Sequence, residues 1–250
     1  MSIKWVIKSE TGPIRKENQD FAGFVNKKNV VMGILCDGMG GHKNGSVASK
    51  VAVKEFIDFF NNSQIETIDA FDSKNIQKWF QEGLEQVTKK MKSLANMDSQ
   101  YLDMGTTLVI SLFFQKEQEL YVFNLGDSHA YLYNGFLHQI TKDQNIMNYL
   151  IDKENLSPEK AKNIHGWDRL VSALGPKKNA IAETYNIHKD SNPKYIILTS
   201  DGIHSFIPKI LFETILNDNS PIEQKANKLV KNAIELKSND NLTCLIMEVN

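Results

Sequence analysis

Residues 106–140 read TTLVISLFFQKEQELYVFNLGDSHAYLYNGFLHQI, a pattern that predicts a meander of antiparallel strands. Thr106 to Phe114 and Leu120 to Leu125 are apolar runs of strand length, separated by the polar turn Gln115-Lys116-Glu117-Gln118. Asn134-Gly135, a pair favoured in two-residue type I′ turns, then joins Ala130-Tyr131-Leu132-Tyr133 to Phe136 through Ile140. Outward from this centre, further strands are expected at Ile3 to Lys8, Asn29 to Cys36, Ile181 to His188, Lys194 to Thr199 and Leu242 to Val249.

Helices interrupt the strands at three main places. Ser46 to Phe60 carries Ala48, Val51, Ala52, Phe56 and Phe59 on one stripe, and a helix from about Ser73 carries Ile76, Phe80, Leu84, Val87, Met91 and Leu94. Ser220-Pro221-Ile222-Glu223 has the form of a capping box and opens a third helix through Ala226, Leu229, Val230 and Ala233. These stripes are expected to be core contacts. A more polar stretch near 143–168 is expected to form a small helical flap beside the site, within one domain spanning 1–250. Strand, helix pair, hairpins, flap, strands, helix and strand in that order favour an α+β fold of antiparallel sheets covered by helices over a doubly wound parallel sheet.

Lys and Arg number 29 against 30 Asp and Glu, a net charge of −1, so the overall balance offers no electrostatic grip on nucleic acid or an anionic membrane. No apolar run approaches the ~20 residues needed to cross a bilayer. The alternation of Ile3, Trp5 and Ile7 with polar residues is not a signal-peptide core, and a cytoplasmic location is expected. Cys36 and Cys244 both fall in apolar runs and read as buried thiols. Neither is followed by an arginine that closes a phosphate loop, so covalent thiolate chemistry has no candidate.

The informative residues are aspartates at strand ends. Asp37 follows Val30 to Cys36, Asp127 follows Leu120 to Gly126, Asp201 follows Tyr195 to Ser200, and Asp240 precedes the last strand. Asp37-Gly38 and Asp201-Gly202 allow tight turns that bring a carbonyl beside a carboxylate. A single Asp-Gly is usually only a turn. Repeated at the rims of a common core, however, carboxylates that are costly to bury unpaired call for a shared cation. Oxygen ligands without a His or Cys cluster select Mg or Mn, and several carboxylates make room for two ions.

Taken in order, these residues resemble the metal-dependent Ser/Thr protein phosphatase family of type 2C in its compact bacterial form. Gly12-Pro13-Ile14-Arg15-Lys16-Glu17-Asn18-Gln19-Asp20 and Asp37-Gly38-Met39-Gly40-Gly41-His42 are similar to two of its motifs. Gly105-Thr106-Thr107, Gly126-Asp127-Ser128, Ala173-Leu174-Gly175, Ser200-Asp201-Gly202 and Asp240-Asn241 follow in the family's order. The resemblance implies a four-layer α/β/β/α sandwich of two stacked, mainly antiparallel sheets flanked by helix pairs.

It further implies that Asp37 bridges two ions, the Gly38 carbonyl binds one, Asp201 and Asp240 bind the other, and Asp20 acts mainly through water. Asp127 with Asp201 matches the position of a third ion, and Arg15 the residue that grips the substrate phosphate, a role suited to a planar guanidinium fork. The implied reaction is in-line attack of a hydroxide, held between Mg or Mn ions, on phosphoserine and phosphothreonine proteins. A Ser/Thr protein kinase is the implied counterpart, and a monomer is expected. His42 is the candidate proton donor to the leaving oxygen, the alternative being that it only shapes its loop. Gln19, His129, Gln144, Ser172 and Ser205 depart from the residues usual in the family at their positions. Two other readings stay open. One is a phosphoprotein-binding module that keeps the fold; the other is a nucleotide site at Gly38-Met39-Gly40-Gly41, which lacks the spacing of a dinucleotide or P-loop motif.

Overall fold

The computed structural model describes residues 3–40 and 44–249. Its eleven described strands are β1 Lys4–Glu10, β2 Asp20–Lys27, β3 Val30–Met39, β4 Gly105–Thr106, β5 Leu108–Phe114, β6 Glu119–Leu125, β7 His129–Tyr133, β8 Leu137–Gln139, β9 Glu183–Ile187, β10 Tyr195–Thr199 and β11 Leu242–Glu248. The α-helices are α1 Asn44–Asn62, α2 Ser73–Met97, α3 Ile146–Glu154, α4 Pro158–Lys162, α5 Asp201–His204, α6 Lys209–Asn217 and α7 Ile222–Glu235. One sheet has the order β1-β11-β10-β7-β8 and the other β2-β3-β5-β6-β9, with β4 paired to β3. Every pairing is antiparallel.

The alternation of side chains along β3 makes the layers. Val30, Met32, Ile34 and Cys36 face a core shared with Phe56 and Phe60 of α1 and Trp79, Phe80 and Leu84 of α2. Val31 and Leu35 face the opposite way, into a cluster with Ile196, Leu198, Leu245 and Met247 of the other sheet. A third cluster joins that sheet's outer face to α6 and α7 through Phe212, Leu229 and Val230. The result is an α/β/β/α sandwich. The two central strands read as continuous apolar runs because both of their faces are buried.

Three local expectations change. β7 and β8 are joined by residues 134–136, with Tyr133 opposite Leu137, so the link has three residues and is not a two-residue type I′ turn. Gly135 has φ +112 and Asn134 is absent from the positive-φ residues, whereas type I′ needs both positive. The exposed Phe136 belongs to this loop. The capping box before α7 is not used: Pro221 is the N-cap without a side-chain bond, and the Ser220 hydroxyl turns to Asp218 instead. The strand expected from Ile181 starts at Glu183. Helices α5 and α6 escaped the periodicity reading because one has four residues and the other nine. α3 and α4 lie in the stretch 143–168.

Candidate metal and active site

The acidic residues gather where the same ends of both sheets meet. Asp20 opens β2 and lies directly opposite Asp37 near the end of β3, which places both carboxylates on one edge of one sheet. Asp201 opens α5 immediately after β10, so it caps a strand end on the other sheet as expected while also starting a helix. Asp240 enters from the turn before β11, and Asp127 from the turn after β6. The Asp37 carboxyl feels the charges of Asp20, Asp201, Asp127 and Asp240 in turn.

Burial and this crowding act together. Desolvation, followed by repulsion from Asp20 and Asp201, pushes Asp37 well above the usual carboxylate range. Burial raises Asp20 to about 6, even though the Ser200 hydroxyl donates to its Oδ2 at 2.7 Å. It raises Asp127 to about 7, with Asp201 the largest repelling neighbour. Asp201 is also raised, by burial and then by Asp240. Arg15 supplies a positive counter-charge: its Nη2 donates to Asp240 Oδ2 at 2.6 Å, and that bond, opposed by partial burial, holds its own pKa above the ordinary arginine value.

The fit of these residues to divalent cations rests on their oxygens. The buried Oδ1 atoms of Asp20 and Asp201 have no hydrogen-bond partner, a costly arrangement that a cation relieves. The donor set is all hard oxygen, as Mg and Mn require. At Gly38 no side chain is tolerated, because a Cβ there would lie 2.2 Å from the Gly45 carbonyl oxygen and 2.6 Å from that of Gln19. Among the described residues, three acidic or imidazole side chains are not yet gathered around one point. Arg15 holds Asp240 and Ser200 holds one oxygen of Asp20. The chemistry of the donors fits divalent cations.

Of the residues expected at the site, Asp20, Asp37, Gly38, Asp127, Asp201, Asp240 and Arg15 come together here. His42 lies outside the described residues. The residues that hold the aspartates carried no assigned role in the sequence, although most sit inside the motifs quoted for the resemblance. Thr107 Oγ1 accepts from the Asp37 amide at 2.9 Å and bonds the Ser128 hydroxyl at 2.7 Å, tying β3 to the Asp127 turn. Asn241 accepts from the Gln19 amide and donates to the carbonyls of Thr11 and Glu17, which fixes the segment bearing Arg15. Glu17 in turn accepts from Ser46 on α1. Gly12, with φ +79, lets the segment cross the Asp240 carbonyl, where a Cβ would stand 2.2 Å away.

A sandwich of two antiparallel sheets, helix pairs outside and five aspartates at the shared strand ends together define the class: protein phosphatase 2C. The pattern of that family matches residues 15–243, and the chain belongs to it. It is 31% identical over 245 residues to the serine/threonine phosphatase stp of Listeria welshimeri, a match covering 97% of this chain and 94% of the relative. A crystal structure of a bacterial serine phosphatase superposes with TM-score 0.86 at 27% identity, covering 100% of this chain and 98% of that one. The catalytic domain of the serine/threonine protein phosphatase PstP, in complex with two manganese ions, shares the fold with TM-score 0.76 at 22% identity, over 98% of this chain and 97% of that domain.

Proposed function

We propose that this chain is a metal-dependent protein phosphatase that hydrolyses phosphoserine and phosphothreonine on other proteins. The observation that carries the reading is the meeting of five buried or half-buried aspartates at one edge of the sandwich, with unpartnered oxygens on Asp20 and Asp201. Membership of the family, the name of the Listeria relative and the manganese held by PstP support it.

Asp37, the Gly38 carbonyl, Asp201 and Asp240 would hold two Mg or Mn ions, with Asp20 acting through water and Asp127 with Asp201 offering room for a third. Such ions supply Lewis acidity and a water ionised near neutral pH for in-line attack on phosphorus. Arg15 stands at the rim with its side chain half exposed and one nitrogen on Asp240. Its remaining donors can take two phosphoryl oxygens as a fork, orienting the ester and stabilising charge as it develops. The oxygen–phosphorus bond to water forms while the bond to the serine or threonine oxygen breaks, giving inorganic phosphate and the free hydroxyl. The departing oxygen takes a proton, for which His42 is the candidate donor. A Ser/Thr protein kinase is the functional counterpart. Among the described residues no helix is long and apolar enough to cross a membrane.

The test is hydrolysis of p-nitrophenyl phosphate and a phosphothreonine peptide with Mn, Mg or chelator, by wild type, Asp37→Asn and Asp201→Asn. Turnover that needs the metal and disappears in both variants is expected. A folded wild type that binds the phosphopeptide with metal present, yet releases no phosphate from either compound, would establish a binding module instead.

A further inference from the structure

Away from the aspartates, a groove of about 760 Å³ runs along the C-terminal half of α2 and is closed on its other side by Ala180. The buried Leu84 and the exposed Met97 are apolar residues lining it, while Lys89 and Lys92 also line it and make no ion pair among the described residues. Lys90 beside them is already paired with Glu55. The two groove lysines are not explained by the helix dipole, since the last turn of α2 contains no basic residue and the dipole acts only within that turn. The exposed Lys177 and Lys178 precede Ala180 by three and two residues in the chain and are likewise free of ion pairs among the described residues. Glu85 is the one acid among the residues that line the groove. The two unpaired groove lysines, with Lys177 and Lys178 close in the chain to its Ala180 edge, outnumber that acid on a chain whose net charge is −1.

The groove also points toward the catalytic edge. Its Met97 end lies at the C-terminus of α2, and Asn44, the first residue of α1, donates to the Gln100 carbonyl just beyond it. The chain continues to Gly105, which pairs with Met39 two residues beyond Asp37. A Cβ at Gly105 would meet Lys178 Cε at 3.0 Å and Met39 Cγ at 3.2 Å, so the Lys178 stem lies against Gly105 beside the end of β3. From Lys89 to Met97 the groove extends about 12 Å along the helix axis. That length holds a few residues of extended peptide.

We infer that this groove docks an acidic segment of the phosphoprotein substrate, with Lys89, Lys92 and Lys178 reading carboxylates some distance from the phosphorylated residue. The inference rests on the proposed phosphatase reading. It makes the groove a determinant of substrate choice that leaves the chemistry at the aspartates untouched. Charges at an exposed rim act on encounter and binding, so the effect belongs in KM and in its salt dependence.

The test uses the full chain with Mn, comparing wild type with Lys89→Glu/Lys92→Glu and, separately, Lys178→Ala. Substrates are p-nitrophenyl phosphate and phosphothreonine peptides carrying a run of glutamates, or of glutamines, about four to ten residues to either side of the phosphosite. For the charge-reversed variant, kcat/KM on one glutamate peptide is expected to fall about five- to tenfold through KM. Its rates on p-nitrophenyl phosphate and the glutamine peptides should match wild type. Equal losses on glutamate and glutamine peptides, or no loss on either glutamate series, overturn the docking site. Binding of a fluorescent, unphosphorylated glutamate peptide to both proteins is measured in parallel. Should p-nitrophenyl phosphate not be turned over at all, the phosphatase reading fails, and this binding comparison still decides the groove: weaker binding by the variant supports it and equal binding overturns it.

Discussion

Asp37 ends an apolar strand at the point where desolvation and four other aspartates oppose its ionisation, so the residue placed for function works against the stability of the metal-free fold. Asp37→Asn removes that repulsion and keeps the shape. In chelator, the variant is expected to melt at or above the wild-type temperature, while its Mn-dependent turnover falls by more than about a hundredfold, since even outer-shell changes cost 10–100-fold at metal sites. Calorimetry and p-nitrophenyl phosphate assays on the same preparations check both halves, and a variant clearly less stable than wild type would contradict the repulsion argument. Gly38 is the steric counterpart. Gly38→Ala drives a methyl into the Gly45 carbonyl, with an expected loss of about 1–3 kcal/mol in urea unfolding. Asp37-Gly38 was legible as a dipeptide, but one such pair is ordinarily a turn. Only the register that sets Asp20 opposite Asp37 shows that the carboxylates share an edge.

At the scale of elements, α5 carries Asp201 into the site and places His204 against β7. The His204 ring stacks on His129 with centroids 3.5 Å apart, its Nδ1 lies 3.0 Å from Thr199 Oγ1, and His129 itself bridges Tyr131 and Asp143. Burial, then His129, holds the His204 pKa well below the ordinary value. An unfolded chain therefore binds this proton more readily than the fold, and the stability His204 leaves intact above about pH 6.5 is lost as pH falls. Urea unfolding at pH 7.5 and 5.5 should show a smaller acid loss for His204→Asn than for wild type; equal losses would remove His204 as the cause. Across the other sheet, Phe80 of α2 stacks on Phe123 of β6 at 4.1 Å with the rings 3° from parallel. Phe80→Ala is expected to cost about 3–5 kcal/mol, read in the same titration. The long stripe of α2 announced that helix because 25 residues repeat the period many times. α5 and α6 gave too few turns to register.

The whole molecule joins its two sheets twice, once through the apolar cluster between them and once through the aspartates at their edge. Asp20 and Asp37 come from one sheet, while Asp201 and Asp240 flank β10 and β11 of the other. Divalent cations bound across that seam stabilise only the assembled sandwich. Saturating Mn at a hundred times its dissociation constant should therefore add about 2.7 kcal/mol to the unfolding free energy, read as a rise in melting temperature that chelator reverses and Asp37→Asn abolishes. An unchanged melting temperature in wild type would refute binding at this seam. The groove on α2 lies outside the seam, which is why its substitution is expected to alter substrate choice and leave this shift intact.

The sequence alone determined the α+β class, the antiparallel meander, both long helices and the aspartates as the residues of interest, because strand and helix periods and strand-end positions are local properties of the chain. The exact β7–β8 link, the unused capping box and the short helices depended on neighbours that a local pattern does not contain. Tertiary structure alone decided that Asp20, Asp37, Asp127, Asp201 and Asp240 meet, that Asn241 and Thr107 hold them, and that Lys89 and Lys92 of α2 share a groove with Ala180 from the segment before β9. Those juxtapositions join residues up to more than 200 positions apart, and two sheets packed face to face are what bring such distant strand ends to a single edge.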